Sequence, residues 1–259
     1  EKSTSGTPSW ASDKTKLRNM DFGGGKLYVV NPVDGVIHVI NAQTGAKLKD
    51  LDMTGVEGGA LKVIDCKYVG GKIIACNIAS ATSPLKIYVW DNDNAQPRVL
   101  LNTTSIGDKD RVGDCLSIEG NLTSGKIYFA AGGTATANNV LMYAVTNGVC
   151  STTPTITPLN EAGDKIVLGL SPRVRPSGTG KYWVMGQNYY PTLCSDAGVA
   201  TISVNPEALL NDCAGNDFKA FTFKGTQYVV ATIYQPGATA SERLTLGRVS
   251  LMDATSGWA

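Results

Sequence analysis

Gly125-Lys126-Ile127-Tyr128-Phe129-Ala130 reads as a tight turn followed by a short apolar and aromatic β-strand that enters a buried sheet. Near-copies stand at Gly25-Lys26-Leu27-Tyr28-Val29-Val30, Gly71-Lys72-Ile73-Ile74-Ala75-Cys76 and Gly180-Lys181-Tyr182-Trp183-Val184-Met185, with a weaker one at Gly225-Thr226-Gln227-Tyr228-Val229-Val230. A turn that returns about every 45 to 55 residues marks an array of supersecondary units, none of which can bury its apolar face alone. The copies divide the chain into five units, near residues 14–53, 54–103, 104–159, 160–211 and 212–259. Residues 1–13 are left as a polar linker or a closing strand.

Outward from each copy, short strands alternate with turn signals. In the first unit, residues 10–22 offer a poorly patterned inner strand, and Gly23-Gly24-Gly25 turns the chain. A phosphate loop would need Ser or Thr after Lys26 and then a helix, whereas Leu27-Tyr28-Val29-Val30 follows. Val36 to Asn41 and Ala46 to Leu51 complete the unit across an Asp-Gly turn and a Thr-Gly turn. The later units are expected to run as Ala60 to Tyr68, Lys72 to Ile78, Lys86 to Trp90 and Arg98 to Leu101, then Asp114 to Glu119, Lys126 to Ala131, Val140 to Val145 and Thr155 to Thr157. Strands near Ile166 to Leu170 or slightly later, Lys181 to Met185 and Ala200 to Val204 form the fourth; Phe218 to Phe223, Gln227 to Ile233 and Leu244 to Met252 form the fifth. Four short antiparallel strands per unit predict an all-β fold, a β-propeller of about five four-stranded blades. A fourth strand of the last unit is expected after Ala259. The chain is therefore expected either to close a five-bladed ring through residues 1–13 or to be a fragment of a larger propeller.

Charged residues make up only 17% of the chain and the net charge is +1, which gives no footprint for nucleic acid. No apolar run has membrane-spanning length, and the opening Ser/Thr/Gly/Pro-rich stretch resembles a linker left by removal of a signal peptide or an upstream domain. Six cysteines lack metal-site and disulfide-scaffold spacing and are expected mainly as buried free thiols. Cys66 and Cys76 flank one turn, so a bridge between them stays open.

The Gly-Lys-Ile-Tyr turns, together with Val36 to Asn41 and the following Ala42-Gln43-Thr44-Gly45, resemble quinoprotein-type and surface-layer-type propeller repeats. Arg111-Val112-Gly113-Asp114-Cys115-Leu116-Ser117-Ile118-Glu119-Gly120 resembles repeats of uncharacterised secreted propeller-like proteins of gut Bacteroidetes. The resemblance implies a propeller in a secreted, periplasmic or cell-surface setting. It carries no catalytic residue across, and the tryptophan-docking residues of quinoproteins are not matched.

His38 is the only histidine and sits between Ile37 and Val39, where a hydrogen-bonded strand residue is the expectation. Histidine-based zinc and triad chemistry are thereby disfavoured, and no metal or cofactor is implied. Asp91-Asn92-Asp93-Asn94 lacks the distal Glu of a calcium loop and reads as an Asx turn. Asp108, Asp110, Arg111 and Asp114 cluster before the inner strand of the third unit, on the face where propeller sites form. Long second-to-third joins at Ile78 to Leu85, Gly132 to Asn139, Gly186 to Gly198 and Tyr234 to Arg243 would share that face, placing Tyr189, Tyr190 and Tyr234 near it. The expected function is non-enzymatic: a monomeric binding module for a glycan or protein, with those seven residues as binding candidates and none catalytic. The rivals are a carboxylate-dependent glycoside hydrolase or polysaccharide lyase at the channel mouth and, more weakly, a quinone-cofactor dehydrogenase.

Overall fold

In the computed structural model, which describes residues 7–13, 16–59, 61–107, 111–132, 139–178, 180–187, 189–203, 214–234, 248–253 and 257–258, every unit forms an antiparallel sheet. The first blade is β1 (Met20–Gly23), β2 (Lys26–Asn31), β3 (Val36–Asn41) and β4 (Lys47–Asp50). The second is β5 (Asp65–Val69), β6 (Lys72–Cys76), β7 (Leu85–Trp90) and β8 (Arg98–Thr103). In the third, β9 (Ser117–Gly120), β10 (Ser124–Ala131) and β11 (Asn139–Thr146) are flanked by a split outer edge, β12 (Val149–Cys150) and β13 (Thr155–Pro158), both paired with β11. A small hairpin, β14 (Asn160–Glu161) and β15 (Asp164–Lys165), precedes the fourth blade of β16 (Arg173–Pro176), β17 (Lys181–Gly186), β18 (Tyr189–Ser195) and β19 (Ala200–Ser203). The fifth is β20 (Ala214–Phe223), β21 (Thr226–Tyr234), β22 (Arg248–Asp253) and β23 (Gly257–Trp258). The fold is therefore an all-β propeller of four-stranded blades.

The repeated turn has two geometries. Gly25, Gly71, Gly180 and Gly225 hold φ of 75°, 88°, 72° and 83°, the left-handed region that glycine occupies without a Cβ clash. Gly125 instead lies inside β10, opposite Gly120 and Val145, where a Cβ would stand 2.5 Å from the Asn121 carbonyl oxygen. The turn there belongs to Asn121, whose Oδ1 accepts from the N–H groups of Thr123 and Ser124. The same sequence sign thus marks a turn in four blades and a close backbone approach in the third.

Because strand side chains alternate between faces, the first four blades bury apolar residues on both sides, and the described cores lie between blades. Tyr28, Ile37 and Val39 of the first blade meet Cys66, Ile73, Ala75 and Trp90 of the second. Ile74, Cys76, Ile87 and Val89, on the opposite face of that second blade, meet Ile127, Phe129, Leu141 and Tyr143 of the third. Tyr128, Ala130 and Val140 then meet Val174, Tyr182, Val184 and Cys194 of the fourth. This layering corrects the possible bridge: Cys66 pairs with Ala75 and Cys76 with Asp65, so the two thiols point into different cores. All five described cysteines are free and buried; Cys213 lies outside the described residues.

Two connections are tied down by a repeated device. The Tyr88 hydroxyl donates to the Glu57 carbonyl at 2.9 Å, and the Tyr143 hydroxyl donates to the Ser105 carbonyl at 2.7 Å. Each anchors the segment that leads to the next inner strand, and so fixes where that strand starts. Ahead of the first blade, Ser9–Ala11 form a 3-10 turn, from which Trp10 Nε1 donates to the Gly45 carbonyl.

Candidate functional site at the propeller axis

The inner strands β1, β5, β9, β16 and β20 converge on one axis, and their charged residues bind across it. Entry to β9 runs through Arg111 and Val112, which bridge to Gly132 and Ala79, and then Gly113 at φ 118°. A Cβ at Gly113 would stand 2.1 Å from the Asn77 carbonyl oxygen, so glycine allows the close approach that carries Asp114 inward. Asp114 has no solvent exposure. Arg111 grips it through Nε to Oδ2 at 2.5 Å and Nη2 to Oδ1 at 2.7 Å, a two-point guanidinium clamp. Arg18 reaches the same carboxylate from the segment before β1, 2.7 Å from Nη2 to Oδ1, and also donates to Ser171 Oγ before β16. One carboxylate thus ties the entries of the first and third blades, and its partner arginine extends the tie to the fourth.

Beyond these entries the inner strands carry a second set of pairs. Lys67 Nζ lies 2.7 Å from both oxygens of the buried Asp65, which also accepts the Leu116 N–H at 2.7 Å. Burial opposes the charge of Lys67, yet Asp65, with Cys115 and Cys66, outweighs it and holds the ammonium above its ordinary pKa. Arg173 and Arg175 alternate along β16; Arg175 donates to Ser117 Oγ, the Leu116 carbonyl and Asp217 Oδ1. Arg173 Nε lies 3.5 Å from the same Asp217 oxygen. Burial works to raise the Asp217 pKa, but the two arginines outweigh it and hold the carboxyl below its usual range.

Between these pairs lies a cleft of about 470 Å³, walled by residues of all five inner strands. Its lining includes Asp21, Lys67, Tyr68, Ser117, Arg175 and Lys219 as polar groups, with Met20, Ile118, Pro176 and Phe218 between them. The Tyr68 N–H donates to Asp21 Oδ2 at 2.7 Å, and the Tyr68 ring lies against Gly23, where a Cβ would stand 1.9 Å from its Cδ1. Met20 is 59% exposed and Phe22, two residues along β1, is 61% exposed. Both are large apolar side chains left open beside charged groups.

Of the seven binding candidates, Arg111 and Asp114 do come together at the axis, as an ion pair in the strand entry and not as lining of the cleft. Asp108 and Asp110 lie outside the described residues. Tyr189 and Tyr190 belong to β18, not to a long loop: β17 and β18 pair from Lys181↔Ser195 to Gly186↔Tyr189. Pro191 falls where that register breaks, the position a sheet allows proline, and it made the segment read as a loop. The Tyr189 hydroxyl donates to Glu161 of the preceding hairpin, and its ring packs against the core between the third and fourth blades. Tyr234 closes β21, and the join after it lies outside the described residues. Of the other joins, residues 79–84 form the expected loop between β6 and β7, while residues 133–138 lie outside. His38 is the strand residue expected, its Nδ1 2.5 Å from Asp50 Oδ1. Asp91 to Asn94 form the expected Asx turn, Asn92 Oδ1 accepting the Asn94 N–H.

Arg18, Asp65, Lys67, Arg173, Arg175 and Asp217 were missed in the sequence. Two signals pointed to three of them: Asp-Cys recurs at Asp65-Cys66, Asp114-Cys115 and Asp212-Cys213, and Arg173-Val174-Arg175 puts two cations on one face of a strand.

Fold and site together define a β-propeller with an ion-paired axis and an open cleft among its inner strands. The chain belongs to the DUF4623 family, whose model, described as a domain of unknown function, matches residues 15–254. A DUF4623 family protein from Bacteroides eggerthii DSM 20697 superposes with a TM-score of 0.70 at 20% identity, over 94% of this chain and 56% of that one. The chain thus spans little more than half the length of that relative. A GH43_1 enzyme from Xanthomonas citri complexed with xylose is similar at a TM-score of 0.51 and 12% identity, over 94% of this chain and 89% of the enzyme. A chain of a nidogen/laminin complex is similar at 0.51 and 11%, over 92% and 76%. No curated protein matches the sequence. The comparisons show a propeller of this family; the finer likeness to quinoprotein-type or surface-layer-type repeats is not what they show. At such identities the similar structures speak for the fold alone, and a sugar-bound enzyme and a protein complex share it.

Proposed function

We propose that this protein binds carbohydrate in the cleft at its axis and does not cleave it, acting as an exported, monomeric binding module. The observation that carries the reading is the cleft itself. It has the size of a small-molecule site, and it sets exposed apolar surface at Met20 among fixed hydrogen-bonding groups from five strands. Sugar rings offer that combination, an apolar C–H face edged by hydroxyl groups.

The rival is hydrolysis by two carboxyl groups, one of which must stay protonated as the acid. Among the described residues, every carboxyl group with a resolved shift is displaced downward, Asp217 at the axis included. Asp65 and Asp114 are held in ion pairs. Carboxylates held this way accept hydrogen bonds from the cations that grip them.

Calorimetric titration against a panel of neutral and acidic oligosaccharides, with chromatography of each mixture after prolonged incubation, tests the reading. Saturable binding with intact sugar is expected. Accumulation of shorter products would replace it by the hydrolytic one, and silence across the panel would remove it.

A further inference from the structure

We infer that the axial cleft selects sugars that carry carboxylates, an inference that rests on the carbohydrate-binding reading. The chain as a whole carries a net charge of +1, and three of its cations meet in the cleft. Lys67, Arg175 and Lys219 line the cleft against Asp21 and Asp217, and Asp217 is already matched by Arg173 and Arg175 from one side. Field from such groups is focused in a partly enclosed cleft far more than on an open surface.

Each cation has a distinct part. Lys67 spends its donors on both Asp65 oxygens and the Cys66 carbonyl, so it acts through its charge. Arg175 is oriented by its bonds to the Phe218 and Leu116 carbonyls, Ser117 and Asp217, and these described contacts leave one Nη2 hydrogen for a ligand. Lys219 is exposed and takes part in none of the described ion pairs, which leaves its ammonium open to a ligand. The exposed Met20 lines the same cleft and shares a face of β1 with the exposed Phe22. An exposed apolar side chain in one cleft with an oriented guanidinium and an exposed ammonium fits a pyranose ring whose edge bears a carboxylate. A neutral sugar would leave Lys219, which is outside the described ion pairs, with no charge to meet, and a small free carboxylate would leave Met20 uncovered.

The test titrates the whole protein with tetragalacturonate, its methyl ester, neutral xylotetraose and free acetate. The acid should bind about tenfold or more tightly than the ester, a difference worth about 1.4 kcal/mol per decade, and salt should weaken the acid's binding alone. Lys219→Gln, at an exposed site, should keep the fold, weaken the acid several-fold and flatten its salt dependence. Arg175→Lys, which keeps the charge but loses the fork, should weaken it further, with melting temperature as the check on folding. Equal binding of acid and ester would overturn the charge selection while leaving carbohydrate binding in place. Acetate binding as tightly as the oligomer would overturn the sugar part. If no oligosaccharide binds, the underlying reading fails along with the inference.

Discussion

Asp114 is the residue on which the axis turns, because a fully buried carboxylate is tolerable only while its cations stay in place. Asp114→Asn leaves Arg18 and Arg111 facing a neutral amide and should destabilise the fold by about 3 kcal/mol in urea denaturation, the low end for a broken buried pair since both arginines can partly rehydrate. Arg111→Ala should cost less, as Arg18 still pairs with the carboxylate. Asp217 gives a pH signature of definite sign. Its folded pKa is depressed, so the stability it adds is present above the unfolded carboxyl value of about 3.9 and fades as the pH falls through the lower folded value. The melting-temperature gap between wild type and Asp217→Asn should therefore be wide at neutral pH and close in acid; a gap independent of pH would contradict the pairing. The thiols behave oppositely, burial pushing Cys150 up to about 11 and Cys194 up to about 12. Both should resist a thiol-specific reagent at neutral pH until denaturant is added, as monitored by peptide mass. At this scale the sequence showed Arg111 and Asp114 as a charged cluster, but not that they are buried together, since the second partner, Arg18, lies 96 residues earlier in the chain.

Strands were legible where apolar alternation followed a turn signal: β2, β3, β7 and β10 begin within a residue or two of their expected starts. The inner strands were not. β5 starts at Asp65 and β9 at Ser117, later than the apolar pattern suggested, because Asp65 and Asp114 turn toward the axis and the pattern cannot register pairing with another blade. β18 was missed for its proline and its tyrosines, which a register break accommodates. The dual use of the motif glycine has a consequence of its own. Gly125→Ala would drive a Cβ to 2.5 Å from the Asn121 carbonyl oxygen and 2.6 Å from that of Glu119, both backbone atoms that cannot swing aside. It should cost about 1–3 kcal/mol as overpacking does. At Gly25 no atom lies within 4 Å of an added Cβ, and only the left-handed backbone resists substitution. Gly25→Asn should therefore be nearly neutral in thermal melting, since Asn tolerates that region, whereas Gly125→Asn should not.

For the whole molecule, the period of the repeat was enough to give the propeller, because blades bury their faces only against one another and so must recur. The site was not contained in the repeat. It is assembled from positions where the blades differ, met at an axis that no local pattern describes, and the fold it sits on serves a sugar-bound enzyme and a protein complex alike. The central claim is that the five inner strands form a carbohydrate site that holds its ligand without cutting it. A crystal structure of the protein soaked with tetragalacturonate tests this most directly. The account predicts an intact sugar in the cleft, with a ring against Met20 and a carboxylate within hydrogen-bonding distance of Arg175. A sugar bound elsewhere on the molecule with the cleft empty, or a cleaved one within it, would contradict the account.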